Sequence, residues 1–257
     1  MRARGAIGAA CVAVSLLATS GCLRDHAAAP AHPSTSARPL TAAGDLRTVL
    51  LDPKDLGKGF VRDGGTDWFD DIPDLGCLVF IYNLTGMPQP QLSERRRIVA
   101  DTEEQLPAIV QRITEYRSAD EAETALKAYS MRMSQCHRVQ KSSTEYGEHY
   151  DLHVITDHLP ADDSVEEELN ISAIGTIRYD DDPDHYDTGT WFTLFRTGRY
   201  IVSTAYDDAD PEEYGYTVKL DRTLAQRLDA FIDGDPVPSF APLGLTPTEF
   251  DDASPSA

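Results

Sequence analysis

In ELNISAIGTIRY, residues 168–179, Ile171, Ala173, Ile177 and Tyr179 alternate with Asn170, Ser172, Thr176 and Arg178. A two-residue period sends successive side chains to opposite sides of an extended chain, so the segment reads as a strand with one packed face and one polar face. That division is typical of antiparallel sheets, where one side meets the core and the other meets water.

Similar segments flank it. EHYDLHVIT (148–156), GTWFTLF (189–195) and RYIVSTAY (199–206) read as strands, with Thr197-Gly198 as a two-residue turn between the last two. RRRIVAD (95–101) and AIVQRITEY (108–116) are earlier strands. Ser118 and Glu121 form a capping box ahead of Ala122, Ala125, Leu126, Tyr129 and Met133, the stripe of a core-facing helix that runs into Cys136. Asp221 is expected to cap a final helix bearing Leu224, Leu228, Phe231 and Ile232, ended by Gly234. In DLRTVLLDPKDL (45–56), Leu46, Val49 and Leu50 share a helical face and Pro53 stops the helix. The expectation is an α+β domain: an antiparallel sheet of about five to six strands, helices packed on one face, and one disulfide.

The N-terminus has a different logic. Arg2 and Arg4 precede an apolar stretch from Ala6 to Ala18, closed by Ser20-Gly21-Cys22. This is the three-part form of a signal peptide, and it is too short for the roughly 20 residues of a membrane-spanning helix. LLATSGCLRD (16–25) resembles a bacterial lipobox, with Thr19 where leucine is usual. The resemblance implies diacylglycerol on Cys22 and a mature chain that begins there. Two or three acyl chains hold a protein on a bilayer where one is marginal. The organisation expected is a signal peptide over 1–21, a lipidated cysteine and flexible tether over 22–44, one domain over 45–233 and a Pro-rich tail over 234–257.

The formal net charge is −20. Nucleic acid is excluded as a partner, and anionic headgroups repel the surface, which leaves the lipid as anchor. Of four cysteines, Cys11 leaves with the signal and Cys22 carries lipid. Cys77 and Cys136 then read as one disulfide of an oxidising compartment, contributing about 4 kcal/mol through loop closure.

LLDPKDLGKGF, QRITEYRSADEAETALKAYSMRMSQC, FTLFRTGRYIVSTAY and LAQRLDAFI occur in an order that resembles actinobacterial envelope lipoproteins with a PknH-like sensor domain, over most of residues 45–233. The resemblance implies an extracytoplasmic domain with a cleft, found on receptor kinases and as free lipoproteins. The kinase-attached form has two disulfides where this chain offers one. There is no kinase motif, and so no catalytic residue to carry over.

The remaining chemistry is sparse. His149, Asp151 and His153 share a strand face, but the two histidines stand about 13 Å apart, too far for one metal. DDDPDHYD (180–187) starts like a calcium loop, yet His185 replaces the required glycine and Trp191 the bidentate glutamate. DDADPEE (207–213) is a second acidic turn. No GxSxG, SxxK, HExxH or phosphate-cradling loop is present. Asn83-Leu84-Thr85 and Asn170-Ile171-Ser172 match the glycosylation sequon by chance beside a lipobox. The candidate ligand residues are the basic cluster Arg95, Arg96 and Arg97 with the polar strand face Asn170, Ser172, Thr176 and Arg178. No cofactor, metal or catalytic residue is expected. The function expected is a non-catalytic binding or sensing module at the outer face of the cytoplasmic membrane, its partners a lipid bilayer and a small ligand. The alternatives are an accessory lipoprotein docking an envelope protein and an envelope hydrolase.

Overall fold

A computed structural model describes residues 43–64, 76–78, 88–102, 105–143, 147–159, 165–208 and 215–247. The expected signal peptide, Cys22, nearly all of the tether, Asn83 and the end of the tail lie outside these residues. The chain starts with two one-turn helices, α1 (Ala43–Leu46) and α2 (Pro53–Leu56). Strands β1 (Phe60–Arg62), β2 (Leu92–Ala100) and β3 (Ala108–Glu115) precede α3 (Ala119–Met133). Then come β4 (Arg138–Ser143), β5 (Glu148–Leu159), β6 (Glu167–Tyr179), β7 (Asp182–Thr197), β8 (Tyr200–Asp208) and α4 (Gly215–Asp233).

Among the described residues, eight strands form one antiparallel sheet in the order β1-β2-β3-β8-β7-β6-β5-β4. After β3 the chain crosses through α3 to the far edge, and the meander from β4 to β8 returns to the centre. The last strand therefore pairs with β3.

This architecture corrects the expected one in strand count and in helix placement. The structure is mostly β, and helices cover both faces of the sheet. On one face Leu46, Val49, Leu50 and Leu56 pack with Leu220, Leu224 and Leu228 of α4. On the other lie Ala122, Ala125, Leu126, Tyr129 and Met133 of α3. The cause is visible in the central strands. Tyr200, Val202 and Tyr206 of β8 enter the first core, and Ile201 and Ala205 enter the second. A strand apolar at successive positions has two faces to remove from water, and each large side chain so buried is worth about 1.5–3 kcal/mol. The two strands that were not foreseen are β1, three residues long, and β4, RVQKSS, a polar edge strand with Val139 as its buried apolar residue.

Local chemistry explains the rest. The Ser118 side chain accepts from the Glu121 N–H at 3.1 Å and starts α3 as expected. Pro53 opens α2 instead of ending a longer helix; its fixed φ suits a first helical position. The hairpin turn is Gly198-Arg199, one residue later than read, with Gly198 at φ 55° and Thr197 facing Tyr200. Helix α4 begins at Gly215, so Asp221 lies inside it and is not its cap. Cys77 and Cys136 are bonded, with Cα atoms 5.8 Å apart, and tie the short 3-10 turn Gly76–Leu78 to the end of α3. Beyond α4, Val237, Leu243 and Leu245 pack on the first core. The Leu245 N–H donates to the Leu56 carbonyl at 3.1 Å and its side chain is buried. A Cβ on Gly57 would meet the Leu245 oxygen at 2.5 Å, so only glycine permits this approach.

Candidate functional site

Strands β4 to β6 are two-sided. Val139, Leu152, Val154, Leu169, Ile171 and Ala173 are buried against α3. On the opposite face Arg138, Gln140, His153, Ile155 and Asp157 are exposed and Asn170, Ser172, Thr176 and Arg178 are half-buried, while Ile174 between them packs against the first core. Pairing sets Asp157 beside Asn170, Ile155 beside Ser172, Asp151 beside Thr176 and His149 beside Arg178.

The four polar residues of β6 therefore stand in one line, as the alternation required. The arginines of β2 do not join them. β3, β8 and β7 lie between, and four strand spacings of about 4.8 Å separate the two groups by about 19 Å. The arginines also divide between the two faces. Arg96 donates to the carbonyls of Leu50 (2.9 Å) and Leu51 (2.8 Å) and pairs with Asp52, so it fastens the N-terminal segment to the sheet. Desolvation there lowers its pKa. Arg97 pairs with Asp63, and Arg95 is exposed opposite Arg112.

Two local pairings order the open face. Arg138 grips Asp151 with two hydrogen bonds, 2.8 and 2.7 Å, and Gln140 adds a third at 3.2 Å. The Arg138 and Gln140 bonds hold the Asp151 carboxyl down at about 2. His149 lies between Ser142 Oγ, 2.7 Å from Nδ1, and Asp180 Oδ1, 2.6 Å from Nε2. His149 and Asp151 thus serve separate neighbours. Among the described residues no group of three or more histidines, cysteines or carboxylates is placed to hold a metal. Asp182, the first residue of β7, accepts from the Tyr186 hydroxyl and from the Asp184 N–H, both in the same strand, so part of DDDPDHYD bonds within itself.

Sequence reading missed a polar row running under α4. Gln111, Thr204, Thr193 and Asn170 face one another across β3, β8, β7 and β6. Thr204 donates to Asp221 Oδ1 at 2.7 Å, Thr193 to Asn170 Oδ1 at 2.8 Å, and Asn170 Nδ2 to Glu168 Oε1 at 2.8 Å. Burial raises the Asp221 pKa to about 7; the Thr204 and Thr193 bonds oppose the rise and the Glu168 charge adds to it. The residue keeps some surface, but its carboxyl end is turned into the sheet against two buried threonines. The signal was present in the sequence, since Asp221 stands three and four residues before Leu224 and Ala225, inside the apolar stripe.

A pocket of about 360 Å³ lies between α3 and the ends of β5 and β6, with Lys127, Ser130, His158 and Glu167 in its wall. Ser130 Oγ is 2.8 Å from His158 Nε2. That contact is the first half of a nucleophile–base pair, but covalent catalysis also needs a group to orient the base. Among the described residues no carboxylate bonds the His158 ring, and Arg196 engages Glu166 and Glu167.

No known protein family matches the chain, and no curated protein matches it. Among solved structures, the extracellular domain of PknH from Mycobacterium tuberculosis is similar with a TM-score of 0.46 at 9% identity, over 77% of this chain and 98% of that one. The likeness is weak and concerns the fold alone. Among the described residues no helix is long and apolar enough to cross a membrane.

Proposed function

We propose that the chain is an exported, lipid-tethered binding or sensing module without chemistry of its own, which engages its ligand on the open face of β4 to β6. The observation that carries this is the two-sidedness of β6. Leu169, Ile171 and Ala173 are locked beneath α3, and the same backbone carries Asn170, Ser172, Thr176 and Arg178, all half-buried, on its other side. Groups fixed on a strand lose little freedom on binding, which favours recognition by several modest hydrogen bonds. The Cys77–Cys136 bond supports an oxidising compartment outside the cytoplasm. The N-terminal pattern supports export and acylation at Cys22. Ile155, 57% exposed amid this polar face, favours a second reading in which the same surface docks an envelope protein.

Thermal-shift screening against envelope glycans, peptides, divalent ions and esters tests the proposal, with Thr176→Arg as the comparison because it fills the open face and leaves the buried one intact. A shift lost in Thr176→Arg supports it. Turnover of an ester or glycan abolished by one carboxylate change would establish the hydrolase instead.

A further inference from the structure

Ile174 packs against the first core and divides the polar face of β6 in two. Beyond it stand Thr176 and Arg178, both half-buried, their Cα atoms about 6.6 Å apart along the strand. The polar groups around them are engaged with one another. Asp151, opposite Thr176, is held by Arg138 and Gln140, and His149, opposite Arg178, lies between Ser142 and Asp180. Arg178 differs. Its one hydrogen bond among the described residues is a long one, from Nη1 to the Tyr179 carbonyl at 3.4 Å, and it pairs with no carboxylate there. Asp180 is taken by His149, and Asp187, opposite Thr176, does not join Arg178 either. The Thr176 hydroxyl is likewise unbonded among the described residues. The formal net charge is −20, and Arg62, Arg96, Arg97, Arg138, Arg196 and Arg227 all hold carboxylates. The register explains why Arg178 does not. Pairing with β7 runs from Ile177 and Tyr186 straight to Tyr179 and Asp182, so Arg178 alone stands against residues 183–185 and has no partner in β7. A bulge of this kind breaks the ladder and re-aims a side chain, and bulges are over-represented next to active sites.

We propose that Arg178, with the Thr176 hydroxyl beside it, is an anion-binding subsite of the open face and takes a single carboxylate of a small ligand; this rests on the open face being the ligand surface. A half-buried guanidinium has given up part of its hydration, and its remaining N–H donors need acceptors. The planar fork matches the two oxygens of a carboxylate, and the hydroxyl supplies a further donor. Phosphate offers the same oxygens but carries a second charge through much of the neutral range. Asp151, Asp180 and Asp187 surround the subsite and oppose that second charge, so a monoanion fits better.

The test titrates the full chain, disulfide intact, with glucuronate and with N-acetylalanine, each beside its neutral amide, and with inorganic phosphate, and follows the Thr176 and Arg178 resonances by NMR. The preferred carboxylate, sugar acid or peptide terminus, should shift both residues saturably, and its amide should bind at least about tenfold more weakly, since a hydrogen bond between charged groups is lost. Arg178→Gln should remove the preference for the acid, and Arg178→Lys should restore part of it, because the charge returns without the fork. Acid and amide bound alike on the open face overturn the anion subsite and leave the binding reading standing. Carboxylates bound away from this face overturn both. No shift with either carboxylate at millimolar concentration, or phosphate bound more tightly than both, overturns the carboxylate assignment. If Arg178→Gln does not fold, the comparison of acid with amide on the unsubstituted chain decides alone.

Discussion

Arg227 of α4 and Asp55 of α2 meet at 2.9 Å with both side chains almost wholly buried. Arg227 also donates to the Leu50 carbonyl at 3.1 Å, so one guanidinium joins the last helix to the first turns of the domain. Removing one partner leaves the other charge buried and unpaired. Arg227→Met should therefore cost about 3–5 kcal/mol, read from the denaturant midpoint, and restoring neutrality with Asp55→Asn in the same chain should recover part of the loss.

Asp151 gives a prediction at the acid end. Its folded pKa, about 2, lies below the ordinary carboxyl value, so its pairing with Arg138 stabilises the fold above about pH 4 and is lost as the pH falls toward 2. The stability difference between the unsubstituted chain and Asp151→Asn should be small, since the pair is exposed, and should vanish below about pH 2. A difference that grows on acidification contradicts this origin.

The disulfide closes a separation of 59 residues between the Gly76–Leu78 turn and the end of α3. Replacing both cysteines with serine should lower stability by about 4 kcal/mol or less on the chain-entropy account. Alkylation of the native protein should find neither Cys77 nor Cys136 reactive.

Cys22 is the proposed acylation site. Cys22→Ser should leave the signal sequence in place, remove the mass of the lipid and abolish partition into detergent phase. Unchanged mass and unchanged membrane retention would remove the anchor from the account.

The legible parts of this fold were those with a single periodicity. β6 alternates on either side of Ile174-Gly175, and the stripe of α3 repeats at helical spacing, so both were readable in the faces they bury. WFTLF in β7 and the apolar run of β3 have no such contrast, and a run without contrast does not say that a second face needs its own helices. Pro53 has two opposite meanings, stop and start, and geometry chose the second. Arg96 resembled a surface cation because its acceptors, the carbonyls of Leu50 and Leu51, carry no sequence signal. Asp221 was misread because aspartate is common at helix starts, although its place among Leu220, Leu224 and Ala225 marked it as buried.

The central claim is that the open face of β6 is the binding surface, and the most direct measurement maps where bound probes act. With envelope glycans and short peptides added to the full chain, NMR shift changes should concentrate at Ile155, Ser172, Thr176 and Arg178 and disappear in Thr176→Arg. Changes concentrated instead at Ser130 and His158, or product formation in the same samples, would contradict it.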